Sequence, residues 1–378
     1  MRKFLRTTLL LLVICSMANA QSKKWIENVK LTGYGIARYT YNDRSDAKSN
    51  TFELRMARFS LDGRAFNDFY WKAQIQFNGN TSTLGSSPKV VDLFVEWQKY
   101  EYLKIKFGQF KNPFTFENPM NPIDQGFRGY AQNVSKLAAF SDRAGTHNSN
   151  GRDIGLQLQG DFLKNSNGRN LMHYQIGVFN GQGINVSDVD QQKNIIGGMW
   201  VMPVKGMRIG AFGWTGSYAR KGFWNDGEQP NPDNGTNKAK VRKLQQRRYA
   251  FSAEYLVDDW TFRSEYIHST GKAFSKALVN TDDESASDCN ISSNGDKAQG
   301  VYALVIAPII KNKLHAKARY DMYEPDGRVD KMCTNYDLGL DYMWGKNIKI
   351  SGTYTFVHNR AAADKSSNIV DVEVSYRF

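Results

Sequence analysis

The sequence predicts an all-β fold, a transmembrane antiparallel β-barrel of about 16 strands. Three observations support this prediction: apolar and polar residues alternate, the alternating segments are long, and the links between them alternate in length. Residues 69–78, for example, set Phe69, Trp71 and Phe77 on one face and polar side chains on most of the other. The same alternation returns at 153–162 and at 370–378. A period of two places one set of side chains on each face of a strand.

The alternating segments run to roughly 10 to 13 residues, which exceeds an ordinary strand and suits one tilted across a bilayer. Short links are predicted at 67–68, 100–101, 164–170, 203–206, 258–259, 311–312 and 345–347. Longer links lie near 42–50, 80–89, 111–151, 181–191, 219–244, 271–298, 324–333 and 359–367. Short periplasmic turns that alternate with long outer loops are typical of an outer-membrane barrel. These links join sixteen strands and leave both ends of the barrel on the periplasmic side.

The beginning of the chain predicts export. Basic residues at 2–6 precede a short apolar run at 9–14, and residues 18–20 read Ala-Asn-Ala. This is the pattern of a cleavable signal peptide, and the apolar run is too short to span a bilayer as a helix. We therefore expect residues 1–20 to be removed and residues 21–378 to form a single barrel domain in the bacterial outer membrane.

Composition narrows the classes of function. The formal net charge of +13 raises the question of a nucleic-acid partner, but no basic stripe with interleaved aromatic residues is present, so none is expected. No Cys/His spacing resembles a metal site, and no cofactor is expected. Two cysteines follow the signal peptide, Cys289 and Cys333. Exported compartments permit a disulfide between them, and two unpaired thiols are the alternative.

Four short motifs in the first half carry a resemblance to a known family. They are Phe52–Arg58 leading to Leu61–Gly63, Phe107–Phe114 followed by Glu117, Gly151–Gly155, and Tyr174–Gly183. In this order and at this spacing they resemble the phosphate-selective porin O and P family. The resemblance implies a sixteen-stranded, usually trimeric porin whose third outer loop folds into the lumen. It also implies a water-filled channel for passive diffusion of small solutes, with anions or phosphate preferred.

The third outer loop, residues 112–150, is unusually long for a link and suggests a functional element. Asn-Pro pairs at 112, 118 and 121 predict turns, and residues 133–139 predict a short helix. We interpret the loop as a constriction of the pore; a solvated outer loop is the alternative.

Cations on the lumen face would attract anions and bind them. Arginine suits bidentate contact with phosphate or carboxylate, whereas lysine acts as a mobile point charge. The predicted pore-lining and anion-binding residues are Arg55, Arg58, Lys72, Lys104, Lys106, Lys111, Arg128 and Arg152. A change of phase between Met56 and Phe59 leaves open whether Arg55 or Arg58 points inward. The absence of a cation between Glu117 and Arg128 departs from the phosphate-selective pattern, so weak anion preference or general diffusion fits equally well.

Two other classes remain as alternatives. The long polar loops at 219–244 and 271–298 would suit a surface receptor or adhesin. A barrel hydrolase is disfavoured because the five histidines are scattered and Gly-x-Ser-x-Gly is absent, so no catalytic residue is predicted. Expected partners are outer-membrane lipid and lipopolysaccharide, small anionic solutes, identical subunits of a homotrimer, and the barrel-assembly machinery. The last is expected because the C-terminal Val-Ser-Tyr-Arg-Phe, ending at Phe378, resembles an outer-membrane assembly signal.

Overall fold

The computed structural model describes residues 26–45, 47–78, 88–145, 149–227, 239–276 and 287–378. The predicted signal peptide, residues 1–20, lies outside these ranges. Within them the regular secondary structure is almost entirely β-strand. The strands are β1 Ile26–Asn42, β2 Ser49–Ala65, β3 Phe69–Gln76, β4 Lys89–Tyr100, β5 Leu103–Lys111, β6 Arg152–Lys164, β7 Asn170–Phe179, β8 Asn194–Val201, β9 Met207–Phe223, β10 Lys240–Val257, β11 Trp260–Thr270, β12 Ser287–Asp288, β13 Lys297–Ile310, β14 Leu314–Glu324, β15 Cys333–Trp344, β16 Ile348–Asn359 and β17 Ser366–Arg377.

The strands close into a barrel. Each wall strand pairs antiparallel with its sequence neighbours, and β1 pairs with both β2 and β17. The two-residue strand β12 is not part of the wall; it pairs parallel with the outer end of β9, and β11 pairs directly with β13. Sixteen strands therefore form the wall, which confirms the predicted fold class. Because β1 pairs with β17, the sheet closes and the backbone groups of the first and last strands find hydrogen-bond partners, which the hydrocarbon of a membrane cannot supply.

The turns on one side of the barrel are short, as predicted. Between β10 and β11 the turn consists of Asp258 and Asp259, whose φ angles are +46° and +71°. Two consecutive residues with positive φ are the mark of a tight hairpin turn that matches the twist of the flanking strands. The opposite side carries the long loops.

The two faces of the wall differ in polarity. Along β10, alternate residues from Arg242 to Glu254 are buried in the lumen, while Tyr249 and Phe251 point outward and are 45% and 56% exposed. An apolar outer face and a polar inner face are expected of a membrane barrel. None of the helices in the described ranges is long and apolar enough to cross a membrane.

Loop 3 joins β5 to β6, and its described residues, 112–145 and 149–151, fold into the barrel, as predicted. It contains a 3-10 turn at Pro122–Asp124 and the helix α1 at Gln132–Leu137, close to the predicted 133–139. Its apolar side chains pack on inward-facing residues of the wall. This cluster includes Phe114, Phe116, Val134 and Leu137 from loop 3, and Phe179, Phe212, Trp214 and Tyr302 from the strands. The largest apolar core of the described chain thus lies inside the barrel.

A bulge in β2 corrects one detail of the sequence interpretation. Leu54 pairs with Ala37 and Met56 pairs with Ile36, so Arg55 is the extra residue. The predicted change of phase between Met56 and Phe59 therefore lies at Arg55 instead. Because the bulge resets the alternation, Arg55 and Arg58 are both buried on the inner side.

Cys289 and Cys333, for which a disulfide was one of two alternatives, lie in different regions of the structure. Cys289 is fully buried in a cluster with Tyr218 and Phe274 near the outer end of β9. Cys333 begins β15, where its backbone pairs with Tyr323 of β14. Between β9, beside which Cys289 lies, and β15, which Cys333 begins, the wall contains β10, β11, β13 and β14.

Candidate functional site

Two wall carboxylates hold the backbone of loop 3. Glu265 Oε1 on β11 accepts hydrogen bonds from the N–H groups of Phe116 (2.9 Å) and Glu117 (2.8 Å). Asp321 on β14 accepts from the N–H of Gln132, at 3.1 and 3.0 Å to its two oxygens. Burial raises the pKa of Glu117, although the positive charges of the same wall act in the opposite direction. Loop 3 is therefore bound to β11 and β14 by hydrogen bonds from its buried backbone N–H groups to carboxylates of the wall.

Wall cations hold loop 3 through its carbonyl oxygens. Lys317 Nζ donates to the carbonyl of Gly126 at 2.6 Å and to Asp341 at 2.6 Å. Arg319 donates to the carbonyl of Gly129 at 3.1 Å and to Asp337 at 2.8 Å. Each of these buried cations already has a carboxylate, so the charges of this wall are neutralised locally.

The other half of the lumen stays open. A cavity of about 330 Å³, here called the basic cavity, lies between strands β3 to β8 and the edge of loop 3. The cations on its lining are Lys72, Lys106, Lys111 and Arg152. Among the described residues of the lining, Asp92 is the one carboxylate. The lining of the basic cavity thus carries more positive than negative charge.

The cations differ in how firmly they are paired. Arg152 makes a two-point ion pair with Asp92, with Nε–Oδ1 and Nη2–Oδ2 distances of 2.6 and 3.1 Å. Lys72 Nζ lies 3.8 Å from Asp92, and Lys106 Nζ lies 3.9 Å from Glu96. These longer separations exceed hydrogen-bond distance, so both lysines can turn toward a passing anion. Arg152 is held in place and supplies a fixed charge.

Lys104 and Arg58 flank the basic cavity without belonging to its lining. Lys104 pairs with Asp161 at 3.1 Å, nearer the periplasmic turns. Arg58 is 1% exposed; it donates to Gln76 at 2.9 Å and to the hydroxyl of Tyr34 at 3.1 Å. Its Nη2 is buried without a hydrogen-bond partner in the described part of the chain.

The structure places Arg55 and Arg128 elsewhere. Arg55 Nη1 lies 3.2 Å from Glu373, and Arg128 Nη1 lies 3.3 Å from Asp371, both on β17. Burial lowers the pKa of Arg128, and the charge of Asp371 opposes that change. Arg55 therefore joins β2 to β17, and Arg128 joins loop 3 to β17. Both are predicted site residues that lie outside the lining of the basic cavity.

A smaller cavity adjoins the basic cavity. A second cavity, of only about 20 Å³, lies toward the outer loops, and Asn112 and Arg152 contribute to both linings. Beside them, Lys111 Nζ donates to the Tyr130 hydroxyl at 2.9 Å and lies 4.3 Å from the centre of the Phe140 ring. Arg152 and the start of loop 3 therefore lie between the two cavities.

Several residues of the basic cavity were not predicted from the sequence. His173 stacks on Trp200 with ring centres 4.0 Å apart, and its Nδ1 lies 2.8 Å from Asp161. Gln157, Gln159 and Gln175 complete this polar wall. Their inward positions on β6 and β7 follow the period of two, which is the signal that could have identified them.

Comparisons with known proteins agree with the barrel fold. Residues 7–362 match the family described as Gram-negative porin. No curated protein sequence matches the chain. Among solved structures, the anion-selective porin from Comamonas acidovorans is 14% identical with a TM-score of 0.62, over 93% of this chain and 99% of that one.

Two further structures have the same fold. The trimer form of in-vitro folded OmpT from Vibrio cholerae is 13% identical with a TM-score of 0.57, over 93% of this chain and 99% of that one. OmpF of Salmonella typhi in complex with daunomycin is 12% identical with a TM-score of 0.59, over 93% and 97%. At such low identity these likenesses establish the fold alone.

Proposed function

The chain belongs to the Gram-negative porin family, and from this premise we propose that it is a diffusion channel that prefers small anions. Membership of this family supports an outer-membrane channel, in agreement with the resemblance drawn from its sequence motifs. The preference for anions is the part that we add.

One observation carries this proposal: the basic cavity has four cations and one carboxylate on its described lining. An excess of one sign of charge in a narrow, low-dielectric passage raises the local concentration of ions of the opposite sign. On the other side of the lumen the cations are matched by carboxylates and by carbonyl groups of loop 3. The net charge that a solute meets is therefore concentrated in the open half.

Phosphate is one anion that this lining would suit, because lysine and arginine both bind phosphate oxygens. The proposal does not require it. Lys72 and Lys106 would attract the solute as mobile charges, and Arg152 would present a fixed charge beside the start of loop 3.

We further propose the assembly and export route that the sequence suggests. Residues 1–20 would act as a cleaved signal peptide, and residues 21–378 would form one domain. The barrel would assemble through the machinery that recognises the segment ending at Phe378. A homotrimer embedded in lipid and lipopolysaccharide would be the mature form; the trimer form of one similar structure supports this arrangement.

The test is the zero-current potential of the purified, refolded protein in planar bilayers under a KCl gradient. A potential of the sign set by chloride, with phosphate acting as a blocker at low concentration, would support an anion channel that binds phosphate. Chloride preference without block by phosphate would support general anion diffusion. A potassium-selective channel would overturn the proposal, and folded protein without channels would favour the receptor alternative.

A further inference from the structure

The lining of the basic cavity also carries apolar side chains among its cations. Phe94, Phe110 and Trp200 lie on the lining, together with Pro113 and Pro119 at the edge of loop 3. The Phe94 and Phe110 rings meet edge to face, with centres 5.9 Å apart. A water-filled passage for inorganic ions has no need of such a surface, because a hydrated ion gains nothing from contact with it.

The apolar and basic surfaces meet at Lys106. Its Nζ lies 5.0 Å from the centre of the Phe94 ring and 5.3 Å from that of Phe110. Both distances are within the range of a cation–π contact. The ammonium group is therefore presented at the boundary between the aromatic side chains and the open space, where it could meet the charged end of a solute.

Trp200 continues the aromatic surface toward the periplasmic side. One face of its indole is covered by His173, and its ring meets Phe116 of loop 3 edge to face at 5.5 Å. These contacts fix the orientation of the indole, which remains part of the lining. A rigid aromatic side chain loses little conformational entropy when a solute packs against it.

We propose that the basic cavity selects small organic anions that carry a flat apolar group beside a carboxylate, the chemical class of benzoate. The inference rests on the proposed anion preference and deepens it. The carboxylate would lie among Lys72, Lys106 and Arg152, and the ring would pack against Phe94 and Trp200. A volume of about 330 Å³ is at the lower end of the range of small-molecule sites. One aromatic contact adds roughly three- to tenfold in affinity over an aliphatic anion of the same charge.

The experiment compares benzoate with acetate on the refolded protein in planar bilayers, because the two have the same charge. We expect benzoate to reduce the chloride current at a concentration roughly three- to tenfold lower than acetate. Trp200→Leu and Phe94→Leu each remove a ring while keeping an apolar side chain, and each should reduce this ratio. Trp260→Leu removes an indole that is 40% exposed on β11, away from the cavity lining, and should leave the ratio unchanged.

Each result decides between the two proposals. Equal action of benzoate and acetate, with chloride preference intact, would overturn this inference and leave the anion channel standing. A benzoate advantage that survives in both leucine variants would also overturn it. Loss of chloride preference in the parent protein would instead overturn the proposed function. Heat-modifiable migration in gels confirms that each variant has folded as a barrel.

Discussion

Arg248 and Asp142 form a two-point ion pair, with Nη1–Oδ2 and Nη2–Oδ1 distances of 2.6 and 2.8 Å. The side chains are 2% and 1% exposed. Arg248 belongs to β10, whereas Asp142 belongs to the returning half of loop 3. The same guanidinium donates to the carbonyl of Leu137 at 2.8 Å. Arg248 therefore fixes the end of helix α1 and the segment that follows it.

Replacing Asp142 should loosen loop 3. Asp142→Ala leaves Arg248 as a buried charge without its carboxylate, which costs about 3–5 kcal/mol of unfolding free energy. Denaturant titration of the refolded barrel measures the loss, and single-channel recordings should show more open-state noise. The control is Asp330→Ala, which removes a 72% exposed carboxylate 4.0 Å from Arg328 and should cost about 0–1 kcal/mol. Similar losses in both variants would contradict the role of the pair.

The buried carboxyl group of Glu117 should make the stability of the barrel depend on pH. Burial raises the pKa of Glu117, so between the ordinary glutamate value of about 4.3 and the raised value the folded chain binds more protons than the unfolded chain. The contribution of this group is complete below that interval and is lost as pH rises through the raised pKa. Glu117→Gln mimics the protonated form and should lose less stability as pH rises from about 4 through the raised pKa of Glu117. Parallel pH profiles of the unfolding midpoint in parent and variant would refute this.

Lys106 predicts the strength of anion preference. A unit charge about 8 Å from an ion in water contributes about 0.5 kcal/mol, so Lys106→Gln should lower the ratio of chloride to potassium permeability by about two- to fivefold. Zero-current potentials in a KCl gradient give this ratio. Lys205→Gln alters an exposed lysine in a periplasmic turn and should change it little. An unchanged ratio in Lys106→Gln would argue against the basic cavity as the ion path.

Gly151 predicts a local steric requirement at the end of loop 3. Its φ is +68°, and a Cβ there would overlap Oδ1 of Asn118 and the ring of Phe140. Gly151→Ala should destabilise the barrel by more than about 1 kcal/mol. Gly168→Ala is the matched control, because its φ is +73° and nothing lies within 4 Å of its Cβ. Both variants carry the strain of a positive φ, so the difference between their losses of unfolding free energy measures the steric overlap alone. Equal losses would contradict the predicted overlap at Gly151.

The sequence was sufficient for the wall of the barrel. Alternation with a period of two identified the strands, and turn residues such as Asp258–Asp259 separated them, because these signals are local. The apolar outer face repeats on every strand and sets its register. The helix in loop 3 was predicted within two residues at either end.

The sequence was not sufficient for the charges of the lumen. Whether Arg128 lines the passage or pairs with Asp371 depends on where loop 3 lies, and that contact joins residues 243 positions apart. The bulge at Arg55 is a similar case. Met56 points inward because it packs against Ile123 of loop 3, which no local pattern reveals. The period of two shows which side chains share a face, but long-range contacts decide which of them a solute meets.

The seam between β1 and β17 has a consequence for how the barrel forms. It pairs Tyr34 with Arg377 and Asn42 with Ile369, and the Thr40 hydroxyl donates to Asp371 across 331 positions of sequence. Contacts of such long sequence separation form slowly, since much of the chain must already be ordered. Until they form, two unpaired strand edges remain available to other chains. Closing this seam is therefore a late step in the assembly of the barrel. Until then, the open sheet must be kept from pairing with the open sheets of other copies of the protein.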